Sequence, residues 1–403
     1  MKIAFLKPGK IATPANHVYA LLDYLKEKGA EVREYDLKER DVNEIVKEIE
    51  EWKPLFLMDV NATGIIVAER DGKKHILADI LGIVHVSVFF EDPLLFFPAF
   101  EGVEKPQNYI AFITELKHTD SLTALGIQNI SYISPFIDIK QLTEPEKEKD
   151  IEIAFVGPVV DPQIIVNSVS QNYPQEIMPF FFETGEFMFR NPEVHVITAF
   201  NYVFGLFNPQ MQEQFNKWKE QNPSAFMRFL NDITAYTTMR RRMYLLHFLD
   251  GMDVKIVGDY QGNLFENHEA VKVSSYEQLL KYYSRANLTV YVSPQTYPTG
   301  LSVIPLEILY MGSLPLIDFK GAIPSFIKPD EEILTFAPLD RADLEEKIVF
   351  YLEENRESIN EIVQRGRKAV EERFTVKDRG EFVYSVLSDV QKQYEAAQKG
   401  QVN

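Results

Sequence analysis

The sequence predicts an α/β protein made of two doubly wound, parallel-sheet domains. Short apolar runs rich in β-branched residues, the first at residues 2–6 (KIAFL), alternate with stretches of helical periodicity. That alternation starts twice, at residue 2 and again at IEIAFVG, 151–157, just after the charged run EPEKEKD at 144–150. A chain of 403 residues also exceeds what one ordinary core serves.

The first domain is expected to span residues 1–148. After strand 2–6 comes a loop with Pro8, Gly9 and Pro14. A helix follows over about 16–28, with His17, Ala20, Leu21, Tyr24 and Leu25 at helical spacing and Gly29 ending it. Strand 31–35 completes a βαβ unit. Helix 42–52 and strand 55–59 extend it, and Asp71-Gly72 marks a hairpin within 65–76. Helix 76–81, strands 83–90 and 109–113, helix 115–125 and strand 130–133 complete the domain. The run 144–150 reads as the linker to a second domain, 149–403.

That second domain opens with strand 151–157 and then carries an insertion, about 161–238, rich in aromatics and with a helix near 210–221. The insertion leaves the carboxyl edge of the sheet, where open α/β sheets bind ligands. It reads either as a lid or acceptor platform, or as a lateral helical decoration. The alternation resumes with helix 239–249, strands 254–257 and 270–273, and helix 275–285. Strand 333–336, helices 341–354 and 356–372, and a last helix over about 377–399 close the chain. That last helix is expected to cross back to the first domain.

The segment that organises this domain is 286–318, ANLTVYVSPQTYPTGLSVIPLEILYMGSLPLID. A buried-type strand, 288–292, leads through a loop with two prolines and Gly300 to a helix that Ser302 is placed to cap. Pro305 sits in the first turn, which has no intrahelical N–H bond to lose there. Gly312 ends the helix before strand 314–318. Amides of Gly300, Leu301, Ser302 and Val303 at a helix N-terminus suit a diphosphate. Glu307, one turn in, suits two hydroxyls of a ribose; the alternative is a glutamate satisfied by a neighbouring helix end.

Composition narrows the partners. A net charge of −18 argues against a nucleic-acid backbone. The absence of cysteine excludes disulfides and thiolate metal sites. No run approaches the ~20 apolar residues of a membrane span, and the first apolar run is too short for a signal peptide; a cytoplasmic protein is expected. The sequence contains no Gly-x-Ser-x-Gly elbow, Walker loop or Gly-x-Gly-x-x-Gly, and its seven histidines never fall at His-x-x-x-His spacing.

Several stretches together resemble one family. They are SYEQLLKYYSRANLTVYVS, TGLSVIPLEILYMGSLPLIDFKG and the ending DLEEKIVFYLEENRESINEIVQRGRKAVEERFTVKDR. FFEDP at 89–93, the stretch 112–138 and IAFVGPV at 153–159 match more weakly. The chain resembles the GT-B glycosyltransferases, and more narrowly the spore-maturation-protein, glycosyltransferase-like family. The resemblance covers most of both domains except the insertion.

It implies two Rossmann-like domains facing across a cleft and transfer of a hexose-like sugar from a nucleotide-diphosphate donor. The acceptor is a glycan, a protein or a lipid-linked molecule. No permanently bound cofactor is implied, and no metal, since the sequence lacks the Asp-x-Asp of metal-dependent transferases. The family's Glu-x7-Glu pair becomes Thr299 and Glu307, so Glu307 is carried over as a ribose ligand and Thr299 as a sugar contact. One of Arg240, Arg241 and Arg242, or Lys255, is implied at the phosphates, and Gly258 and Asp259 at the base. Asp92, with Glu91 beside it, takes the place of a catalytic acid or base, against the alternative of an Asp-Pro turn. Thr299 in place of glutamate also fits a degenerate protein that binds nucleotide or sugar without transferring it.

Overall fold

The protein is described from a computed structural model covering residues 1–11, 14–146, 148–263 and 266–400. It divides into two compact units: Met1–Ile139 with Phe374–Asn403, and Lys140–Arg373.

In the first unit, β1 (Lys2–Lys7), α1 (Val18–Glu27), β2 (Glu31–Asp36), α2 (Val42–Trp52) and β3 (Phe56–Val60) follow in order. An antiparallel hairpin, β4 (Val67–Arg70) and β5 (Lys73–Ile76), turns through Asp71 and Gly72, both at positive φ. Then come α3 (Leu77–Leu81), β6 (Val84–Phe89), β7 (Tyr109–Ile113), α4 (His118–Ala124) and β8 (Ile130–Tyr132). The six main strands form one parallel sheet in the order β2-β1-β3-β6-β7-β8. Its inner strands are mostly apolar, as buried parallel strands are, but the buried Asp59 breaks the run in β3, and His85 and Ser87 break it in β6.

The second unit begins with β9 (Ile151–Val156), β10 (Val159–Val160) and α5 (Pro162–Asn172). Three helices follow, α6 (Met178–Arg190), α7 (Val196–Leu206) and α8 (Pro209–Gln221), and then the 25-residue α9 (Pro223–His247). Phe180, Phe200, Phe215 and Phe229 pack against one another in their core, tilted or edge to face. The expected helix start at Met239 is corrected here: α9 begins 16 residues earlier, at Pro223 in its first turn. Its middle, ITAYTT, is poor in helix formers and is held by packing, with Ile233, Thr234, Thr237 and Thr238 buried, while the hydroxyls of the three threonines bond the carbonyls of Leu230, Ile233 and Thr234 at 2.8–3.0 Å. One rigid rod therefore runs from the aromatic core to the sheet, where Leu245 and Leu246 are buried.

The rest of the unit is β11 (Val254–Val257), β12 (Tyr260–Gln261), which pairs with β10 in a separate two-stranded sheet, β13 (His268–Val271), α10 (Tyr276–Arg285), β14 (Ala286–Tyr291), α11 (Val303–Tyr310), β15 (Leu314–Asp318) and β16 (Leu334–Phe336). Strand β9 joins β11, β13, β14, β15 and β16 in the main sheet. It is covered by α12 (Arg341–Val349) and α13 (Arg356–Arg373); α14 (Lys377–Gly400) belongs to the first unit, where it packs on α1. Its order, β13-β11-β9-β14-β15-β16, is all parallel. Counted within the unit this is 3-2-1-4-5-6, the order of dinucleotide-binding sheets, whose direction of winding switches between strands one and four. Here those strands are β9 and β14.

Gly366 shows how tightly this layer is assembled. A Cβ built there would lie 2.2 Å from the carbonyl oxygen of Glu332 and 2.6 Å from a methyl of Leu309. Gly366→Ala is therefore expected to lower unfolding free energy by roughly 1–3 kcal/mol through overpacking, although alanine is the better helix former. Gly205→Ala in α7, where a Cβ meets nothing within 4 Å, should be neutral or stabilising by up to ~1 kcal/mol. Urea denaturation of the two variants side by side checks this contrast.

Candidate functional site

The carboxyl ends of β9 and β14 flank the switch point of the second unit, and the expected donor segment lies there. After β14 the chain passes through Ser293–Gly300 into α11. Ser302 is the N-cap of α11, as expected from its position, but its hydroxyl does not cap: it pairs with the Tyr291 hydroxyl at 3.1 Å. Burial pushes the Tyr291 hydroxyl to about 12. Gly300, Leu301 and Ser302 are buried, and Thr299 is half-buried with its carbonyl accepting from the Ala322 amide at 3.1 Å.

Glu307 sits on the buried side of α11, fully enclosed, and the Tyr276 hydroxyl donates to its Oε1 at 2.7 Å. Two turns along α10, Tyr283 is wholly buried and its hydroxyl has no hydrogen-bond partner among the described residues. Desolvation, with the charge of Glu307 adding to it, holds that phenol well above its ordinary value.

The three arginines separate by role. Arg242 joins the two strands that flank the switch point: its guanidinium donates to the carbonyls of Pro158, after β9, and Val292, after β14, at 2.9–3.3 Å. Gly157 and Gly258 make this approach possible. A Cβ at Gly157 would lie 2.9 Å from the Arg242 guanidinium, and one at Gly258 would lie 2.9 Å from the Gly157 carbonyl. Arg241, fully buried, pairs with Asp318 at 2.7 Å and donates to Gln295 Oε1 at 3.2 Å. Arg240 is half-buried; it pairs with Glu186 at 2.6 Å and stacks on Phe189 at 4.2 Å. Lys255, the second residue of β11, lies away from the carboxyl edge and pairs with Glu269 at 3.0 Å. Asp259 is exposed and pairs with Lys272.

Asp318, at the end of β15, is the hub that sequence reasoning missed. Its carboxylate accepts from Arg241, from the Ser293 amide at 2.8 Å and from Lys320, 3.2 Å away. Burial alone would raise its pKa, but Lys320 and Arg241 outweigh burial and hold it at about 2. Burial takes the Lys320 ammonium down to about 8 despite Asp318. Lys320 also donates to the Pro192 carbonyl at 3.1 Å, and Gln295 donates to the carbonyls of Pro192 and Val194. The α6–α7 turn is thereby tied to the donor loop.

In the first unit, Glu91 and Asp92 follow β6 at the carboxyl edge of its sheet. Asp92 is buried and caps the next turn: its Oδ1 accepts from the Leu94 amide at 2.9 Å and the Ser121 hydroxyl at 2.5 Å. Glu91 is half-buried, and desolvation raises its carboxyl. Asn61, left-handed at φ 52°, arranges both: its Oδ1 accepts from the Phe90 and Glu91 amides, and its Nδ2 donates to Glu91 Oε2 at 2.9 Å. The only sequence sign of Asn61 was an asparagine straight after a buried strand.

Comparison with known proteins adds to this geometry. The chain is 92% identical, over all 403 residues of both, to an "Uncharacterized protein" of Aquifex aeolicus (strain VF5). The two belong to one family. Residues 240–385 match the Glycosyl transferase-like family, and so include α10, the donor loop and α11. Among solved structures, sucrose-phosphate synthase from Thermosynechococcus elongatus is similar with a TM-score of 0.53 at 11% identity, covering 98% of this chain and 99% of that one. HepE of Anabaena, in complex with UDP-glucose, also scores 0.53 at 11% identity, covering 96% and 100%. A DNA-modifying β-glucosyltransferase scores 0.50 at 11% identity, covering 96% and 99%. The chain has the GT-B fold. Among the described residues, no helix is long and apolar enough to cross a membrane.

Proposed function

We propose that the protein is a glycosyltransferase that takes a hexose from a UDP-linked donor bound at the carboxyl edge of the second sheet. The observation that carries this reading is the position of Glu307. The glutamate that a ribose would need lies one turn into the helix at the switch point, held by a neutral tyrosine hydroxyl. Tyr276 there makes the same kind of bond as a ribose hydroxyl and would give way to it. The α11 amides and the positive charge of Arg241, Arg242 and Lys320, set against the single carboxylate of Asp318, favour a diphosphate at this edge. HepE, with UDP-glucose bound, supports the choice of nucleotide and sugar. The narrower resemblance to spore-maturation-protein transferases belongs to the same proposal, as does independence from metal.

In the transfer, the bond from the sugar C1 to the diphosphate oxygen breaks and UDP leaves with the electron pair. A new bond forms from C1 to an acceptor hydroxyl oxygen, whose proton passes to a base. Of the two carboxylates at the edge of the first sheet, Glu91, with its raised carboxyl, is better suited to accept a proton than Asp92, whose carboxylate is engaged in capping. Thr299 would meet the sugar through an uncharged hydroxyl.

Thermal shift with UDP and UDP-sugars tests the proposal. Wild-type protein should be stabilised by several degrees at saturating UDP by mass action. Glu307→Gln should lose that shift while keeping its own unliganded midpoint within a few degrees. Tyr276→Phe, which removes the competing hydroxyl, should keep it. A wild-type protein indifferent to every nucleotide would overturn the reading.

A further inference from the structure

The inserted helices carry a groove of about 520 Å³ between α6 and α7, a size in the range of small-molecule sites. One wall is apolar: Phe187, Val203, Leu206 and Phe207. Leu206 is 69% exposed, and beside the groove Tyr202, 56% exposed, packs tilted against Phe187 with ring centroids 4.9 Å apart. Leu206 and Tyr202, one turn apart on α7, are the two most exposed large apolar side chains among the described residues, and an apolar patch left at the surface marks a binding surface. The other wall carries Glu183, Glu186, Arg190 and Asn191. Glu186 is fixed as a carboxylate by two arginines, Arg190 and Arg240, each at 2.6 Å, and Arg240 draws its pKa down. Aromatic and aliphatic groups facing a fixed carboxylate, an arginine and an amide match a molecule that is hydroxylated on one side and apolar on the other.

The groove is joined to the proposed donor edge within the same unit. Asn191 lines it, and the next residue, Pro192, offers its carbonyl to both Gln295 and Lys320. Along α9, Arg240 reaches the groove's Glu186 while its neighbour Arg241, ~3.8 Å away between Cα atoms, binds Asp318 at the sheet edge.

We propose that this groove holds the acceptor, and that the acceptor is a small sugar or other polyol carrying an aryl or short alkyl group. The assignment rests on the transferase reading for the word acceptor, but not for the binding itself. Glu183, Glu186 and Asn191 take the hydroxyls, and Phe187, Val203, Leu206 and Phe207 take the apolar group. A membrane surface fits less well, because the groove's polar wall carries two carboxylates.

Calorimetric titration with 4-nitrophenyl and octyl glucosides, against free glucose, tests it on the full chain, with UDP thermal shift run on the same samples. The glucosides should saturate the wild-type protein at least 10-fold more tightly than glucose. Leu206→Lys, at a largely exposed position, should lose most of that preference. Glu183→Gln should weaken glucose and glucosides alike, and both variants should respond to UDP as wild type does. No saturation by the glucosides, or equal binding to Leu206→Lys, overturns the groove assignment. So does a dimer in sedimentation that Leu206→Lys dissolves. Absence of a UDP shift alongside intact glucoside binding would instead remove the transferase reading and leave the site.

Discussion

Asp318→Ala should be among the most damaging single substitutions in the second unit, costing about 3–5 kcal/mol, the range for removing one partner of a buried ion pair. The alanine leaves Arg241 and Lys320, both fully buried, without the carboxylate they share, and frees the Ser293 amide at the start of the donor loop. Such a loss is a large fraction of the 5–15 kcal/mol that folds an ordinary domain. Arg241→Ala should cost less, because Lys320 still neutralises Asp318. Lys255→Ala, which breaks a pair whose carboxylate is largely exposed, should cost no more than ~1 kcal/mol. Chemical denaturation orders the three. The acid limb follows from the same residue. The folded-state pKa of about 2 lies below the ordinary 3.8, so its contribution is complete above about pH 4. It should fade as the pH falls from 4 to 2, and Asp318→Asn should lose that part of the acid transition.

Glu91→Gln should lower turnover of the preferred UDP-sugar by about 10²–10⁴-fold, the usual span for a general acid or base, with little change in KM for the donor. The fold should not suffer. Glutamine keeps an oxygen for Asn61 Nδ2, and it removes a carboxyl whose raised pKa means that its ionised form is disfavoured in the folded protein. The pH profile separates chemistry from structure. Wild-type kcat should rise with pH through the raised pKa of Glu91, and Glu91→Gln should have no such limb. Asn61→Ala should shift the limb rather than abolish it, since Asn61 acts through Glu91. Unchanged turnover in Glu91→Gln would assign the proton transfer elsewhere.

The strands were legible because parallel strands covered on both faces are continuous apolar runs between turn residues, as LTVY in β14 and LPLI in β15 show. Restarting the alternation at residue 151 was enough to expect a second sheet. The start of α9 was not legible, because its Thr-rich middle has low helix propensity and is helical where Ile233, Thr234, Thr237 and Thr238 are buried against the rest of the unit. The Arg240–Arg242 triplet could be named but not sorted. Consecutive helix residues point about 100° apart, and their partners, Glu186, Asp318 and Pro158, come from three separate segments. Asp318 read as the polar end of a strand, since its partner Arg241 lies 77 residues earlier. The groove was hidden for a similar reason: the sequence showed 161–238 only as an aromatic-rich insertion, and only the packing of α6 and α7 shows which rings are left at the surface.

The most direct measurement is the structure of the protein crystallised with UDP. The diphosphate is expected against the backbone amides of Gly300–Val303. The ribose should lie within ~3 Å of the Glu307 carboxylate, with the Tyr276 hydroxyl turned off it. UDP bound at any other edge, or bound while Tyr276 still closes on Glu307, would contradict the account.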